Sequence, residues 1–345
     1  MKISIIIPVF NEQENIKEVL NSIKKNKVKN QEIIVVDDGS TDNTREILKK
    51  FGNFIKYIHI KKSGVAKARN VGIKHSSGSL IFFFDGDVIL KENTLITFIK
   101  CFKKNKKLNI LQGHWNKNYF TDTNFITKHI LLKVNQNFEE KFNNEKKYFN
   151  FKGIKASDLS TGCLALRRKV LKNTKFNENY KHAGGEEFEM ASRLIDKYDI
   201  FYHPKIKVFH KFENIFITLK RIFFRSINYA VLIFSQRGKK KQNLIKSHEV
   251  VVPKRDTINV SIASFFLLSL LTLLIDTRFS LLIFFSLILF LFNNFRLLLY
   301  IKKNLNFISM IKSYFIQLAI ILANTTGVIV AIFMVYLVRH KGYKY

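Results

Sequence analysis

Short apolar runs alternate with stretches of helical periodicity through the first part of the chain. The apolar runs are rich in β-branched and aromatic residues and lack polar alternation, as in strands buried on both faces of a parallel sheet. The predicted strands are 3–9, 32–36, 54–60 and 80–84. Between them, apolar residues recur at helical spacing, as at Ile16, Val19, Leu20 and Ile23. The alternation predicts βαβ units and an α/β domain with a mostly parallel sheet and right-handed crossovers.

Capping and turn residues predict where the helices begin. Asn11 followed by Glu14 forms a capping-box pattern ahead of the first helix, and Gly64 introduces a helix over 64–75. Further helices are predicted at 93–102 and at the end of 180–196, and further strands at 108–115 and 161–166. A last apolar strand ends at His210, so we expect the α/β domain to cover residues 1–212.

The C-terminal part of the chain is much more apolar. Residues 213–257 mix apolar and basic side chains, which is typical of interfacial helices that present cations to lipid headgroups. Residues 258–345 contain three long apolar stretches, and about 20 such residues cross a bilayer. The predicted spans are 258–275, 279–299 and 314–338. The sequence therefore predicts an α-helical transmembrane region that follows the α/β domain.

The charge of the chain indicates an anionic partner. The 345 residues carry 58 Lys and Arg against 26 Asp and Glu, a formal net charge of +32. Such a surplus suits nucleic acid, acidic lipid or a phosphorylated substrate. The apolar stretches argue against nucleic acid and for an anionic membrane. Two cysteines and basic loops beside the spans place the α/β domain on the cytoplasmic side of a multi-pass cell-membrane protein, with the side of the C-terminal tail left open.

Two acidic pairs follow predicted strands and carry the candidate chemistry. Asp37-Asp38 follows one strand, and Asp85-Gly86-Asp87 follows another. Because the carboxyl ends of parallel strands open onto one ligand crevice, both pairs are expected at the same edge. Carboxylates there suit Mg²⁺ or Mn²⁺, which usually also hold substrate phosphates. Lys67, Arg69 and the backbone N–H groups near Gly64 can meet a diphosphate. Together these residues predict a nucleotide-diphosphate site.

Several motifs in register resemble those of glycosyltransferase family 2. The resemblance covers about residues 1–210 and is carried by Pro8-Val9-Phe10-Asn11-Glu12, Val36-Asp37-Asp38-Gly39-Ser40-Thr41-Asp42, 64–72, Asp85-Gly86-Asp87, Thr161-Gly162-Cys163, the helix start at Arg167-Arg168 and Gly185-Glu186-Glu187. It implies a GT-A fold, a nucleotide-sugar donor, a divalent cation and inversion at the anomeric carbon.

The resemblance also implies roles for individual residues. Asp38, with Asp37, resembles the nucleoside contact, and Asp85 and Asp87 resemble the aspartates that hold the metal and the ribose-diphosphate. Others that match the motifs are expected along the donor site: Pro8, Phe10, Glu12, Gly64, Lys67, Arg69, Asn70 and Gly86. His210 resembles a further metal ligand of some relatives.

The general base of the family usually lies in a Glu-Asp pair at a helix start. This chain has Glu186-Glu187 at that position, so the second carboxylate is one methylene longer than the family pattern. We assign Glu187 as the base that deprotonates an acceptor hydroxyl, and Glu186 as the acid that orients the acceptor. The alternative is a helix-start glutamate favoured by the helix dipole alone.

The favoured interpretation is an inverting, membrane-anchored glycosyltransferase that acts on a lipid-linked or other membrane-associated glycan, with a weak preference for UDP-sugars. A polyprenyl-phosphate sugar synthase remains open, although its phosphate acceptor would need no base. A processive polysaccharide synthase would show a Gln-x-x-Arg-Trp motif, and Ser235-Gln236-Arg237-Gly238 does not supply it. A catalytically silent membrane scaffold is the alternative from a different class, and a metal-dependent transfer assay separates it from the enzyme.

Overall fold

The computed structural model describes residues 1–116, 124–142, 154–156, 159–180, 185–210, 214–235, 254–273 and 276–341. The strands in chain order are β1 Ile3–Val9, β2 Gln31–Asp37, β3 Lys56–His59, β4 Leu80–Phe83, β5 Val88–Leu90, β6 Ile110–Trp115, β7 Ile154–Ala156, β8 Leu164–Arg167 and β9 Ile200–His210. The helices are α1 Ile16–Lys25, α2 Thr44–Lys49, α3 Val65–Lys74, α4 Thr94–Lys104, α5 Phe125–Phe142, α6 Arg168–Leu171, α7 Glu186–Leu194, α8 Ile215–Ser235, α9 Lys254–Thr272, α10 Ser280–Asn304 and α11 Phe307–Lys341.

The strands form one mixed sheet in the order β3-β2-β1-β4-β8-β6-β9-β5, with β7 paired to β9. The first four positions are parallel, and β8 then runs antiparallel to both of its neighbours, β4 and β6. The central strands are apolar on both faces because both faces are covered, and every residue of β1 and β4 is buried. The predicted α/β class is confirmed, with antiparallel pairing in the second half of the sheet.

Two local predictions differ from the structure. The first helix begins at Ile16 with Asn15 at its N-cap position, so the capping box predicted at Asn11 does not form. Asn11 instead adopts a left-handed conformation with φ of 56°, which asparagine tolerates well. The strand predicted over 161–166 starts later, because Thr161–Cys163 makes a turn of 3₁₀ helix before β8.

The chain divides into two compact units. One, the sheet unit, contains all the strands given above with α1–α4, α6 and α7. The other, the helical unit, contains α5 and α8–α11. Helix α5 lies within the 1–212 range expected for the α/β domain, yet it packs with the C-terminal helices: Leu132 contacts Leu297 and Ile301 of α10 in a buried cluster. The domain bounds 1–212, 213–257 and 258–345 therefore stay a prediction, and residues 236–253 of the interfacial segment lie outside the described residues.

Two of the described helices are long and apolar enough to cross a membrane. They are Ser280–Asn304, with a mean hydropathy of 2.1, and Phe307–Leu337, with 2.4. These coincide with the second and third predicted spans, whereas α9, which includes most of the first, does not pass the same test. Length and composition are weak evidence by themselves, since the core helix of a soluble protein can share both.

Candidate active site

The two acidic pairs lie at one edge of the sheet, as their positions in the sequence predict. Strands β2 and β4 flank β1 and run parallel to it, so all three end at the same side. Asp37 ends β2 and Asp38 follows it, whereas Asp85 and Asp87 follow β4. The loop after β1, which contains Phe10, lies between them. Gly86 lies close to this loop: an added Cβ would come within 3.0 Å of side-chain atoms of Val9 and Glu12.

Asp37 is a structural carboxylate between β2 and β3. It is fully buried and accepts hydrogen bonds from the Ser40 N–H at 2.8 Å and the Tyr57 hydroxyl at 2.8 Å, and it lies 3.0 Å from Nδ1 of His59. Burial alone would raise its pKa, but the hydrogen bonds from Ser40, His59 and Tyr57 outweigh burial and hold the pKa below its ordinary value. Its partners all belong to the protein, so it shapes the edge on which a ligand would bind.

Asp38 holds the entry to α3. Its two oxygens accept the backbone N–H groups of Ser63 at 2.7 Å and Gly64 at 2.9 Å. Gly64 has a φ of 101°, a conformation that side chains rarely adopt, so glycine is required at this turn. Lys62 lies 3.2 Å from the same carboxylate and 2.9 Å from the ring centroid of Phe10. Asp38 therefore fixes the loop that would face a nucleoside. Only the second lone pair of each carboxylate oxygen is left to accept a hydrogen bond from the nucleoside.

The loop after β1 is tied to the loop after β2. The Asn11 N–H donates to the Ser40 hydroxyl at 3.0 Å, and the Asn11 side-chain oxygen accepts the Thr41 N–H at 2.8 Å. The Glu12 N–H donates to the Thr44 hydroxyl at 2.7 Å. Pro8 lies within β1, opposite Val36, and therefore helps only to position Phe10 and Glu12. The first predicted donor motif, residues 8–12, thus lines one side of the candidate site at the carboxyl ends of the strands.

Lys67 and Asn70, both expected on the donor, face a segment of the chain in this structure. Lys67 makes an ion pair with Glu178 at 2.8 Å, and it is exposed enough to exchange that partner for a ligand. The Asn70 side chain exchanges hydrogen bonds with the backbone of Phe176, accepting at 3.0 Å and donating at 2.9 Å. Asn70 therefore anchors the segment before α7.

Arg69 differs most from its sequence prediction. We expected it to bind a diphosphate, but it is only 3% exposed and lies among carboxylates of its own chain. It donates to Glu186 at 2.9 Å and to Asp85 at 2.9 Å, and its guanidinium lies 3.9 Å from Glu187. Burial would lower the pKa of Arg69, but the surrounding Asp85, Glu186 and Glu187 raise it, so the cation is permanent. Arg69 is the counter-charge of this carboxylate group.

The predicted base, Glu187, lies in the first turn of α7. Its Oε1 accepts the Thr161 N–H at 2.8 Å and also the Thr161 hydroxyl. The structure records no hydrogen bond from the described residues to its Oε2. Glu186, beside it, is 2% exposed and occupied by Arg69. Glu187 is therefore held in place through Oε1, which leaves Oε2 to accept a proton. Glu186 is a buried charge with a structural role.

Thr161 has no role in the sequence prediction beyond its place in the Thr161-Gly162-Cys163 motif. In the structure it orients Glu187, and Gly162 lies close to Asp85: an added Cβ would come within 3.3 Å of Oδ2. The motif itself was the only signal for these contacts in the sequence. The partners lie 26 residues apart in the chain, and no periodicity connects them.

Asp87 and His210 are the candidate metal ligands that the structure brings together. Strand β5 pairs with β9 so that Val88 lies opposite His210, which places Nε2 of His210 3.3 Å from Oδ2 of Asp87. The Trp115 ring lies 4.8 Å from the His210 ring. The other oxygen of Asp87, Oδ1, is buried and has no hydrogen-bond partner among the described residues. A buried carboxylate oxygen without a partner fits a cation.

Asp85 is turned partly away from this pair. Its Oδ1 accepts from Arg69, and the described residues contain no ready-made group of three or more His, Cys, Asp and Glu that could hold a metal ion. Partial burial raises the pKa of Asp85, Asp87 adds to the rise, and Arg69 opposes it. The residues fit a Mg²⁺ or Mn²⁺ ion that takes one or two protein ligands and completes its shell with substrate phosphates.

Comparisons with known proteins agree with this architecture. Residues 4–174 match the family model described as Glycosyl transferase family 2. The chain is 38% identical over 102 residues to the glycosyltransferase GlyA and 35% identical over 127 residues to the glycosyltransferase GlyG, both of Streptococcus pneumoniae serotype 4. These alignments cover 29% and 36% of this chain, and 15% and 42% of the two relatives. The chain thus spans less than half the length of either relative.

A solved structure shares the fold over most of the chain. It is the mannosyltransferase PcManGT of Pyrobaculum calidifontis in complex with GDP-Man and Mn²⁺. The TM-score is 0.57 at 14% identity, and the match covers 95% of this chain and 87% of the other. At that identity the likeness shows the GT-A fold and does not carry over the ligands.

Proposed function

We propose, from the premise that residues 4–174 form a domain of glycosyl transferase family 2, that this protein transfers a sugar from a nucleotide-sugar donor to a hydroxyl of a membrane-associated acceptor, with inversion at the anomeric carbon. One observation carries the proposal: Arg69 joins Asp85, which lies at the predicted diphosphate and metal position, to Glu186 and Glu187, the predicted base pair. The groups needed by donor and acceptor therefore lie in one cluster.

Glu187 acts as the general base. Thr161 fixes Oε1, and Oε2 takes the proton of the acceptor hydroxyl while the hydroxyl oxygen bonds to the anomeric carbon. The bond from that carbon to the diphosphate oxygen breaks, and the nucleoside diphosphate leaves with the electron pair. Because the hydroxyl attacks opposite the leaving group, the configuration inverts. Glu186 stays buried against Arg69 and keeps the start of α7 in place, which replaces the acceptor-orienting role predicted for it.

A divalent cation would be held by Asp87 and His210, with Asp85 beside them. When bound, it supplies positive charge to the diphosphate as the leaving group departs. The buried, unpartnered Oδ1 of Asp87 supports this assignment. Mg²⁺ and Mn²⁺ both suit the ligand set, and Mn²⁺ accompanies GDP-Man in PcManGT.

The donor nucleotide is left open by the site. Both oxygens of Asp38 already accept backbone N–H groups, so the carboxylate gives little support to the weak preference for UDP. Phe10 is 39% exposed, and Lys62 lies over one face of its ring. The other face could stack with a base, and such stacking does not select one nucleotide over another.

The acceptor is proposed to be lipid-linked or otherwise membrane-associated. Large apolar side chains on α10 and α11 are exposed, as expected of lipid-facing surface; among them are Phe284, Phe292, Phe315 and Phe333. Lys302, Lys303 and Lys312 lie where these two helices adjoin and suit the anionic headgroups of a cytoplasmic leaflet. We propose a multi-pass membrane protein with its sheet unit on the cytoplasmic side.

The test is a donor screen on the detergent-solubilised full chain with Mn²⁺ or Mg²⁺, using UDP-, GDP- and dTDP-sugars and a membrane glycolipid extract as acceptor. Release of nucleoside diphosphate from one donor is expected. Glu187→Gln should lower turnover by roughly 10²- to 10⁴-fold, the usual contribution of a general base, while leaving the donor affinity unchanged. The matched control is Glu92→Gln, which removes one negative charge from an exposed turn.

The outcomes separate the alternatives. Full activity of Glu187→Gln would mean that Glu187 is not the base and would favour a phosphate acceptor, as in a polyprenyl-phosphate sugar synthase. If folded protein neither binds nor turns over any donor, the remaining interpretation is a catalytically silent membrane scaffold.

A further inference from the structure

The helical unit contains a second group of buried charges, which the transfer reaction does not use. We define the polar cluster as His129 and Lys133 of α5, Arg255 and Asp256 of α9, and Ser313 and Gln317 of α11. Lys133 makes an ion pair with Asp256 at 2.9 Å, and Nε2 of His129 lies 3.2 Å from the Gln317 side-chain oxygen. Ser313 and Gln317 lie four residues apart and so share one helix face. Three helices therefore contribute to one polar site.

Polar atoms of this cluster are buried without partners. Among the described residues, no hydrogen bond reaches Nδ1 of His129, Nε of Arg255, Oδ1 of Asp256, Oγ of Ser313 or Nε2 of Gln317. His129, Ser313 and Gln317 are completely buried. Buried polar atoms almost always have partners, so several such atoms in one cluster point to a binding site for a polar ligand. Arg255, Gln317 and Ser313 offer N–H or O–H donors, which match a ligand rich in acceptor oxygens.

The charge of the cluster has the sign that an anion requires. Two cations, Lys133 and Arg255, stand against one carboxylate, Asp256. The Arg255 guanidinium donates to the neutral side-chain oxygens of Gln136 at 2.9 Å and Asn137 at 2.7 Å, and its approach to Asp256 is 3.9 Å. Burial lowers the pKa of Lys133, Asp256 opposes this, and Arg255 adds to it. Burial also lowers the pKa of His129 to about 3, so that ring is neutral.

The position of the cluster along α11 corresponds to the headgroup level of a bilayer. The candidate span Phe307–Leu337 has 31 residues, or about 46 Å of helix, against a hydrocarbon core of about 30 Å. About 20 residues cross that core, and a crossing that ends at Leu337, ahead of the basic Arg339, begins near residue 318, so Ser313 and Gln317 precede it. Lys312 is adjacent. Basic pockets between membrane helices at this level suit lipid phosphates.

We propose that the polar cluster binds the phosphate group of a lipid, either the isoprenoid phosphate that carries a glycan acceptor or a membrane phospholipid. Arg255 and Lys133 supply the charge, and Nε of Arg255, Nε2 of Gln317 and Oγ of Ser313 donate to the phosphate oxygens. This inference rests on the membrane association in the proposed function, and it extends that function by naming the chemical class of the lipid.

The experiment measures lipid binding to the purified full chain in a phosphate-free maltoside detergent by native mass spectrometry. The probes are farnesyl phosphate, farnesol, phosphatidic acid, diacylglycerol and inorganic phosphate. Farnesyl phosphate should bind better than farnesol, and Arg255→Gln should weaken its binding roughly tenfold or more, as for loss of one charge-assisted hydrogen bond. The matched control is Lys17→Gln, which removes an exposed cation from α1 of the sheet unit and should change nothing.

A second variant guards against misfolding of Arg255→Gln. Gln317→Glu keeps the size of the side chain and adds a negative charge beside the phosphate, so it should abolish phosphate-dependent binding. Farnesyl phosphate bound above phosphatidic acid identifies an acceptor carrier, the reverse identifies a phospholipid, and both support the site. Equal binding of farnesol and farnesyl phosphate, inorganic phosphate bound as tightly as the lipids, or equal losses in Lys17→Gln and Arg255→Gln would overturn it.

Failure of this inference is distinguishable from failure of the proposed function. The binding assay needs neither a donor nor the base, so Glu187→Gln should bind farnesyl phosphate as the native protein does. Lipid-phosphate binding without sugar transfer by any donor supports this site and contradicts the transferase. Sugar transfer by native protein that shows no phosphate-dependent lipid binding contradicts this site alone.

Discussion

The two buried charge clusters of this protein differ in the sign of their imbalance. In the sheet unit, Arg69 faces Asp85, Glu186 and Glu187, so carboxylates outnumber the cation. In the helical unit, Lys133 and Arg255 face the single carboxylate of Asp256. Buried charge is costly unless it is paired, so each surplus points to the ligand that would balance it. The first cluster suits a divalent cation and a proton from an acceptor, and the second suits a phosphate.

Glu32 lies near the N-terminal end of β2, at the opposite end of the strand from Asp37. The negative charge of its carboxylate is balanced by groups of its own chain. Glu32 accepts from the Ser77 N–H at 2.6 Å and from the hydroxyls of Ser4 and Ser77, and Lys2 lies 3.2 Å away. Burial would raise its pKa, yet these bonds lower the pKa to about 2. The pKa of Asp85 is raised instead, because burial and the neighbouring Asp87 outweigh the effect of Arg69. One edge of the sheet is satisfied by its own chain, and the other is left to a ligand.

The largest effect is expected from removing Arg69, the buried cation of the carboxylate cluster in the sheet unit. Arg69→Gln leaves Glu186 buried without a counter-charge and should lower the free energy of unfolding by about 3–5 kcal/mol. Urea unfolding with a probe of the sheet unit measures this. The double variant Arg69→Gln with Glu186→Gln should recover much of the loss, since both charges are then gone. Additive losses in the double variant would show that the pair is not coupled.

A smaller effect is expected from removing one proposed metal ligand, Asp87, while the Arg69 cluster stays intact. Asp87→Asn keeps the side-chain volume but removes the carboxylate charge that faces His210, and it should lower metal-dependent turnover by roughly 100-fold, about 3 kcal/mol of transition-state stabilisation. Electron paramagnetic resonance of Mn²⁺ titrated into the protein should show weaker binding, and Glu92→Gln should behave as native protein. Unchanged Mn²⁺ binding would remove Asp87 from the ligand set.

The smallest effect is expected at Glu32, whose carboxylate is hydrogen-bonded within its own chain. Because the folded pKa of Glu32 lies below its ordinary value of 4.5, at about 2, its ionised form stabilises the fold above pH 4.5, and this stabilisation is lost as the pH falls toward 2. Glu32→Gln should cost on the order of 2 kcal/mol at neutral pH. Its free energy of unfolding should also vary less than that of native protein between pH 4.5 and pH 2. Parallel pH profiles for the two proteins would contradict the assignment.

The secondary structure of the sheet unit followed from the sequence because burial imposes a period on the chain. A strand covered on both faces needs an unbroken apolar run, and an amphipathic helix needs apolar residues every three or four positions. The first four strands were therefore predicted to within a few residues. The shared edge for Asp38 and Asp85 followed too, since parallel strands end at the same side of a sheet.

Local signals were less reliable where the chain had a choice of partners. Asn11 fits a helix cap by its pattern with Glu14, yet its side chain bonds Thr41, which lies 30 residues away. Both uses satisfy an asparagine equally well, and the sequence does not rank them. The first predicted span raises a similar question, because α9 begins with three charged residues, Lys254, Arg255 and Asp256. Whether such charges suit a membrane helix depends on the partners that the fold brings to them.

The sequence by itself determined the first four strands and the placing of Asp38 and Asp85 at the same side of the sheet. Only the tertiary structure decided that Arg69 pairs with Glu186, 117 residues away, and that Lys133 and Asp256 form a pair in the helical unit. The physical reason is that periodicity reports which face of an element is buried, whereas the partner of a buried charge depends on which distant segments the fold brings to that face.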